Sequence, residues 1–413
     1  MFFLYQLILL IIFFLSPIII IIRILKNKEH KKRFIEKIGF FSNLRKKGKL
    51  IWFHGSSVGE IMSIIPLIQH YEKKKEITQI LITSNTLSSA NILKKYNLKK
   101  TIHQFFPLDF FLLSKKFINF WNPSVAIFVE SEIWPSMYMA INKKKIPLIL
   151  LNARITNKTF KRWNLLNNFA KSIFKNISSS YPQNYETEVY LKKFKVKKIN
   201  FIGNLKFIEN KKDLEINSDN KINSLFKNYK TWIAASTHKD EEIICAKVHM
   251  ILKKKIKNLI TIIIPRHVNR SQEIVSKIKK LNLKIACHSS NIKNLKNIDI
   301  YLVDAYGESS KFYKISKTVF LGKSLIGKGG QNPLEPARYG SKILYGKNVE
   351  NFKDIYKYLD LLGISTKISN SRSIASSIVF NFLNKNKIKV KTKSKEIFKK
   401  TTQEIDKIIE NAN

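Results

Sequence analysis

From Phe2 to Ile22 the chain runs 21 residues without a charge, most of them Leu, Ile or Phe. As a helix at ~1.5 Å per residue that run reaches ~32 Å, enough to cross a ~30 Å hydrocarbon core. Whatever else the chain does, this segment has to be covered by lipid or protein. A cleaved signal peptide is the alternative reading, but the run lacks a basic start and a small-residue cleavage site and exceeds a typical signal core. An uncleaved transmembrane anchor over residues 1–25 is the prediction. Directly behind it stand Arg23, Lys26, Lys28, Lys31, Lys32 and Arg33. By the positive-inside rule they hold the remaining chain in the cytoplasm, and they suit anionic inner-leaflet headgroups. Phe34, Ile35, Ile38, Phe40 and Phe41 then interleave with Lys and Arg through position 49. That pattern fits a segment lying along a bilayer surface and fits an ordinary packing helix equally well.

The 413 residues leave room for two domains of ~100–200 residues each after the anchor. From Leu50 onward short apolar runs alternate with segments of helical period, the signature of a parallel sheet covered on both faces. Strands are predicted at Leu50–Phe53, Gln79–Thr83, Val125–Val129 and Pro147–Leu151. The pattern restarts at Thr231–Ala235, Leu259–Ile264, Ile300–Val303, Val319–Leu321 and Lys342–Tyr345. The expectation is an α/β chain of two Rossmann-like domains, 26–208 and 209–413, facing a central cleft. Function should lie at the carboxyl ends of the strands. Lys/Asn-rich stretches at 209–230 and 289–298 read as linker and surface loop.

Charge alone does not choose a partner. The net of +46 comes from 66 Lys and 9 Arg against 29 acidic residues, spread along an Ile/Asn/Lys-rich chain. Such a balance suits nucleic acid, an anionic membrane or an acidic substrate, and equally a general composition bias. Two cysteines far apart encode neither a disulfide framework nor a zinc site. Neither H-E-x-x-H nor Asp-x-Asp occurs, so no metal is predicted. The usual signatures of ATP hydrolysis and dinucleotide redox chemistry are also missing, so no cofactor is expected, while a nucleotide-sugar donor remains.

The motifs sit where strands end. His54-Gly-Ser-Ser-Val-Gly-Glu60 follows a strand and opens a helix, which suits an anion. Ser57-x-x-Glu60 also fits a capping box, and spacing alone favours that cap over a general base at Glu60. Glu130-Ser-Glu132-Ile-Trp-Pro135 ends another strand, and alternation would put both carboxylates on one side, for acid/base work or a solvated turn. Asn152-Ala-Arg154 offers a guanidinium for an anion, or for a salt bridge to Glu130 or Glu132. In the second half, Pro265-Arg266-His267 ends a strand with donors suited to phosphate. Residues 322–330 hold 4 of the 13 glycines, directly before Asn332 as N-cap and Pro333 at the first helical position. That loop is predicted to cradle a phosphate, with Glu335 placed for a capping box or for ribose hydroxyls.

Taken in order, these segments resemble the 3-deoxy-D-manno-oct-2-ulosonic acid (Kdo) transferases. The resemblance runs through His54–Glu60, Glu130–Pro135, Asn152–Arg154, Gly203–Phe207, Ala235–His238, Asp240–Glu242, Pro265–His267, Gly307-Glu308, Gly329–Pro336 and Asn351-Phe352. It implies a two-domain glycosyltransferase of the GT-B type at the inner membrane, single-pass, inverting and metal-independent. Kdo would pass from a CMP-Kdo donor to a lipid A precursor, lipid IVA, in lipopolysaccharide biosynthesis. It implies Glu60 as the base, overturning the preference for the cap, with Glu130 and Lys206 supporting the transition state. It implies CMP-binding segments at Pro265, Arg266 and His267, at Tyr306, Gly307 and Glu308, and at Asn332, Pro333, Leu334 and Glu335. Where the family usually shows Gly-Gly-Ser-Leu and Gly-Gly-His-Asn, this chain has Lys323 and Gln331 at the second and third positions, respectively. The rivals are a membrane GT-B enzyme with another nucleotide sugar, and an anchored basic protein binding nucleic acid or anionic lipid. No nucleic-acid motif is present, and nucleic acid is not expected as a partner.

Overall fold

The structure is a computed structural model; it describes residues 1–26, 29–208, 220–383 and 391–411. Lys28 and residues 209–219 of the linker expected at 209–230 lie outside the described residues. The described end of that linker is helical instead: Asn220–Phe226 buries Ile222 and Phe226. The chain forms two compact units, Met1–Asn210 with Lys393–Asn413, and Lys211–Thr392.

The first unit is built on a six-stranded sheet: β1 (Lys49–His54), β2 (Ile77–Ser84), β3 (Thr101–Phe105), β4 (Val125–Val129), β5 (Leu148–Ala153) and β6 (Ser179–Pro182). The order is β3-β2-β1-β4-β5-β6, every pairing parallel. β1, β4 and β5 are almost continuously apolar and almost wholly buried, as a sheet covered on both faces requires. The order reverses between β1 and β4, so their carboxyl ends define the ligand-binding switch point of a doubly wound sheet. The helices used below are α1 (Phe2–Leu25), α2 (Val58–Tyr71), α3 (Phe111–Trp121) and α4 (Pro135–Lys143).

The second unit repeats the plan with β7 (Lys230–Thr237), β8 (Leu259–Pro265), β9 (Ile285–Cys287), β10 (Ile300–Leu302), β11 (Thr318–Leu321), β12 (Lys342–Tyr345) and β13 (Ser365–Lys367). Its order is β13-β12-β11-β7-β8-β10-β9, again parallel throughout. Here the reversal falls between β7 and β11. Its relevant helices are α5 (Glu241–Lys253) and α6 (Leu334–Arg338). The two Rossmann-like α/β units match the expected fold class.

Two expectations are corrected. Four strands escaped the sequence pattern, β3, β6, β9 and β13, and these are the four sheet edges. An edge strand is paired on one side only and can be short and polar, like Ser179–Pro182 or Ser365–Lys367. The second domain was also expected to run to residue 413. Instead helix α8, which we number after α7 (Ser371–Leu383) and which spans Lys391–Glu410, returns to the first unit. Ile397, Ile405 and Ile409 bury its apolar stripe, Tyr181 and Asn200 donate to Glu404, and Lys74 pairs with Asp406 at 3.1 Å.

Helix α1 lies against the first unit. Tyr5 donates to Asp109 at 2.6 Å, Gln6 donates to Ser136 and accepts from the Phe111 amide, and Phe13 stacks on Phe110. Its other side stays bare: Phe3, Phe14 and Ile18 are more than half exposed. The 33–49 segment packs on the edge strand β3, where buried Glu36 accepts from Arg33 and from the Phe105 amide, while Phe40 and Leu44 remain exposed.

Candidate active site

In the first unit the switch point is filled by carboxylates. β1 ends at His54 and α2 starts four residues on, with Ser57 as its N-cap. The capping box is formed: Glu60 Oε2 accepts from the Ser57 amide at 3.4 Å and Ser57 Oγ accepts from the Glu60 amide at 3.3 Å, while the Ser56 amide adds a closer bond to Glu60 Oε2 at 2.7 Å. The helix-end amides expected to receive an external anion are therefore directed at the chain's own Glu60. The cap does not exhaust this side chain. Burial, then the charge of Glu132, raise its pKa; the Ser57 hydrogen bond opposes them, Glu130 adds a smaller rise, and the result is about 7. A carboxyl titrating there is matched to taking a proton near neutral pH. The capping contacts thus leave Glu60 with a carboxyl able to take up a proton near neutral pH.

Glu132 is held by a different set of partners. Burial pushes its carboxyl up, but bonds from His54, Ser56 and Trp134 outweigh it and keep the pKa below the ordinary value. His54 Nε2 lies 3.1 Å from Glu132, Ser56 Oγ 2.5 Å and Trp134 Nε1 2.8 Å. On the other side of the imidazole, Nδ1 meets Thr83 Oγ1 at 2.9 Å, and that oxygen already accepts from Trp52. An ionised Glu132 can only accept, so in the neutral His54 ring the proton stands on Nε2 and Nδ1 accepts from the Thr83 hydroxyl. Two carboxylates beside one another are thus driven apart in proton affinity by their surroundings.

Glu130 corrects the alternation argument. Its backbone is left-handed, φ 59°, so the chain turns and does not carry Glu130 and Glu132 along one extended side. The carboxylate, 7% exposed, pairs with Lys206 at 2.7 Å. Lys206 stands on a turn of 3-10 helix whose start is fixed from two sides: Asn204 Oδ1 accepts the Lys206 amide and Asn152 Oδ1 the Leu205 amide. The structure therefore brings together Glu130 and Lys206, which are far apart in sequence, and gives Glu130 the lysine where Arg154 had been considered.

In the second unit the switch point collects cations. After β7, Asp240 adopts φ 72° and α5 begins with two buried glutamates. Glu241 accepts from the His238, Lys323 and Leu325 amides, clamping the loop after β7 to the loop after β11. Gly322 is obligatory there: a Cβ would lie 2.4 Å from the Ser236 carbonyl oxygen. Lys323, at a family glycine position, keeps a glycine-like φ of 59°. Glu242 grips Arg270 through both oxygens. The His238 and His267 rings are 5.6 Å apart, and His238 is held below its ordinary pKa by burial and by Lys323, His267, Arg266 and Arg270. Positive charge strong enough to hold down the proton affinity of His238 marks a place suited to an anion. Arg266 and His267 are exposed beyond buried Pro265.

The third predicted segment is altered in detail. Helix α6 starts at Leu334, with Pro333 as its N-cap, not Asn332; Asn332 Oδ1 still accepts the Leu334 amide. The helix has five residues, too short for a substantial dipole, so positive potential at this loop comes from neighbouring cations and not from the helix end. Leu334 is fully buried and Pro333 is buried, so their side chains shape the loop without facing solvent, whereas Asn332 and Glu335 are exposed. Tyr306 and Gly307 are exposed on the loop after β10, with Tyr306 accepting from the Val268 amide, and Glu308 pairs with Lys311. Sequence reading gave no role to Asp109, whose carboxylate caps α4 through the Ser136 and Met137 amides, nor to Asn85, which donates to Ser56. Pro135 at the start of α4 was the one signal that a remote cap was needed. Among the described residues no cluster of His, Cys, Asp and Glu is arranged to hold a metal ion.

Comparison with known proteins now bears on this geometry. The profile of the 3-deoxy-D-manno-octulosonic-acid transferase (kdotransferase) family matches residues 32–209. The chain is 33% identical over 367 residues to the probable mitochondrial 3-deoxy-D-manno-octulosonic acid transferase of Arabidopsis thaliana, covering 85% of this chain and 82% of that one. It is 32% identical to the 3-deoxy-D-manno-octulosonic acid transferase of Rickettsia prowazekii (strain Madrid E), covering 83% and 74%. In fold alone it is similar to the UDP-GlcNAc 2-epimerase of Neisseria meningitidis, with TM-score 0.60, 12% identity and 87% of this chain covered. Two Rossmann-like units with charged residues at both switch points, in this company, define a glycosyltransferase of GT-B-like architecture. The chain belongs to the 3-deoxy-D-manno-octulosonic acid transferase family, enzymes of Kdo transfer in lipopolysaccharide biosynthesis.

Proposed function

We propose that this enzyme moves Kdo from CMP-Kdo to lipid IVA, the lipid A precursor, with inversion and without a metal ion. Glu60 takes the proton from the acceptor hydroxyl as that oxygen attacks the anomeric carbon. The bond from that carbon to the CMP phosphate breaks, and CMP leaves as an anion. The observation that carries this reading is Glu60 itself, a carboxyl fixed by Ser56 and Ser57 at the switch point with its pKa raised to about 7. Lys206, paired to Glu130, is suited to compensating charge as the sugar transfers. Arg266, His267 and Lys323 beside His238 supply the cationic surroundings that a departing phosphate needs, work that a metal does elsewhere. Tyr306, Gly307, Glu308, Asn332 and Glu335, with the buried frame of Pro265, Pro333 and Leu334, are assigned to CMP binding. The anchor α1 seats the enzyme in the inner membrane, its bare side in lipid and both units on the cytoplasmic side. This orientation is supported by the basic residues that follow α1. The same basic residues are assigned to anionic lipid.

The test is Glu60→Gln assayed by mass spectrometry for transfer from CMP-Kdo to lipid IVA. A loss of ~10²–10⁴ in turnover is expected for removal of a general base. Near-normal turnover refutes the assignment, and a wild-type enzyme that ignores CMP-Kdo refutes the donor.

A further inference from the structure

Between α1 and the segment that joins β3 to α3 lies a cavity of about 370 Å³. This falls within the ~300–1,000 Å³ of pockets that enclose small ligands. Leu9, Ile12 and Phe13 line it from the helix, and Phe106, Leu108 and Phe110 from the opposite side. One end is closed by the hydrogen bond from Tyr5 to Asp109, whose carboxylate is further satisfied by the Ser136 and Met137 amides. At the polar margin stand Arg23 and Lys37, both paired with the Glu29 carboxylate, at 3.1 and 2.6 Å.

The cavity backs onto the catalytic cluster. Asn85 and Trp134 line it, and each reaches the cluster by a hydrogen bond, Asn85 to Ser56 Oγ at 2.7 Å and Trp134 to Glu132 at 2.8 Å. Phe106 packs against the His54 ring with centroids 4.0 Å apart. Lys37 bonds the Asn85 carbonyl oxygen. An apolar pocket with one wall made by a lipid-facing helix is filled most favourably from the bilayer, because a hydrocarbon occupant gains contacts there that water does not offer.

We propose that this cavity holds one acyl chain of the acceptor lipid, with Arg23 and Lys37 facing an anionic group on its sugar head and the Asn85–Trp134 wall directing that head toward Glu60. Resting on the functional reading above, this assigns the chain-binding subsite of the same reaction. Hydrocarbon length in the cavity is then recognised together with head-group charge, and the acceptor enters from the membrane.

The test compares acceptors with the full-length enzyme in mixed micelles. The kcat/KM for the acylated acceptor is divided by that for the same sugar acceptor with its chains removed, a ratio insensitive to the fraction of enzyme folded. In Leu9→Trp and Ile12→Trp, which fill the cavity, the ratio is expected to fall at least tenfold. In Ile11→Trp, on the 57% exposed outer side of the helix, it should stay within twofold of wild type. An acceptor carrying a diazirine in an acyl chain should label the peptides holding Leu9–Phe13 and Phe106–Phe110. Unchanged ratios in both filling variants, or labelling confined to other peptides, overturn the proposal while Kdo transfer stands. A wild-type enzyme inactive on both acceptors overturns the functional reading, and this subsite with it.

Discussion

Glu60→Gln separates activity from stability, because the negative charge that the proposed base must carry also opposes folding. Its carboxyl rises from 4.5 to about 7, through burial first and the charge of Glu132 second. At about 1.36 kcal/mol for each tenfold in proton affinity, this is an upper figure of ~3 kcal/mol. Solvent screening of a partly exposed group reduces it to about 1–3 kcal/mol. The sign follows from proton binding: between pH 4.5 and about 7 the folded chain keeps a proton that the unfolded chain has released, so stability falls as pH rises through that window. Glutamine carries no charge at any of these pH values and still accepts at the capping-box position. The variant should therefore melt close to wild type below pH 4.5 and higher than wild type above pH 7. At ~2–4 °C per kcal/mol for a unit of this size, the gain at pH 8 is about 2–12 °C. Scanning calorimetry of both proteins at pH 4.5 and pH 8 measures it, and the wild-type pH–rate profile should carry a limb near 7 that rises with pH. A melting difference independent of pH, or a variant less stable at pH 8, would falsify the account of Glu60 as a carboxyl whose charge is destabilised where it stands.

Further outcomes follow from other contacts. Lys206→Met strands the buried Glu130 carboxylate and should cost about 3–5 kcal/mol in urea unfolding; adding Glu130→Gln should recover stability without recovering turnover, and a double variant as unstable as the single one would argue against the pair. Gly322→Ala drives a methyl into the Ser236 carbonyl, so the KM for CMP-Kdo should rise at least tenfold with the fold intact by circular dichroism; an unaltered KM would detach this loop from donor binding. Dialysis against EDTA should leave turnover within twofold of the untreated enzyme, whereas a loss restored by a divalent ion would contradict the metal-free mechanism.

How much of this was legible in the sequence depended on burial. Strands such as Val125–Val129 and Leu259–Pro265 are covered on both faces, and their apolar runs, broken in the second only by Thr261, announced them, the second as Leu259–Ile264. The edge strands gave no such run. The loop at His54–Glu60 was legible as strand, turn and cap because those rules are local, but the raised proton affinity of Glu60 was not, since it comes from Glu132 and from burial by distant segments. For the same reason Lys206 gained a role only through resemblance: nothing near it in sequence signals Glu130. Helix α8 was hidden by its lysines, which surround a stripe of isoleucines that only the first unit covers.

The return of α8 has a consequence for biosynthesis. The first unit needs residues from both termini, with Lys211–Thr392 interposed as an insert. At ~5–20 residues per second the ribosome takes roughly 10–40 s to make that insert. Through that interval the groove awaiting Ile397 and Ile405 stays open on the nascent chain. The amino-terminal half therefore cannot finish folding first; it matures only when the last helix emerges.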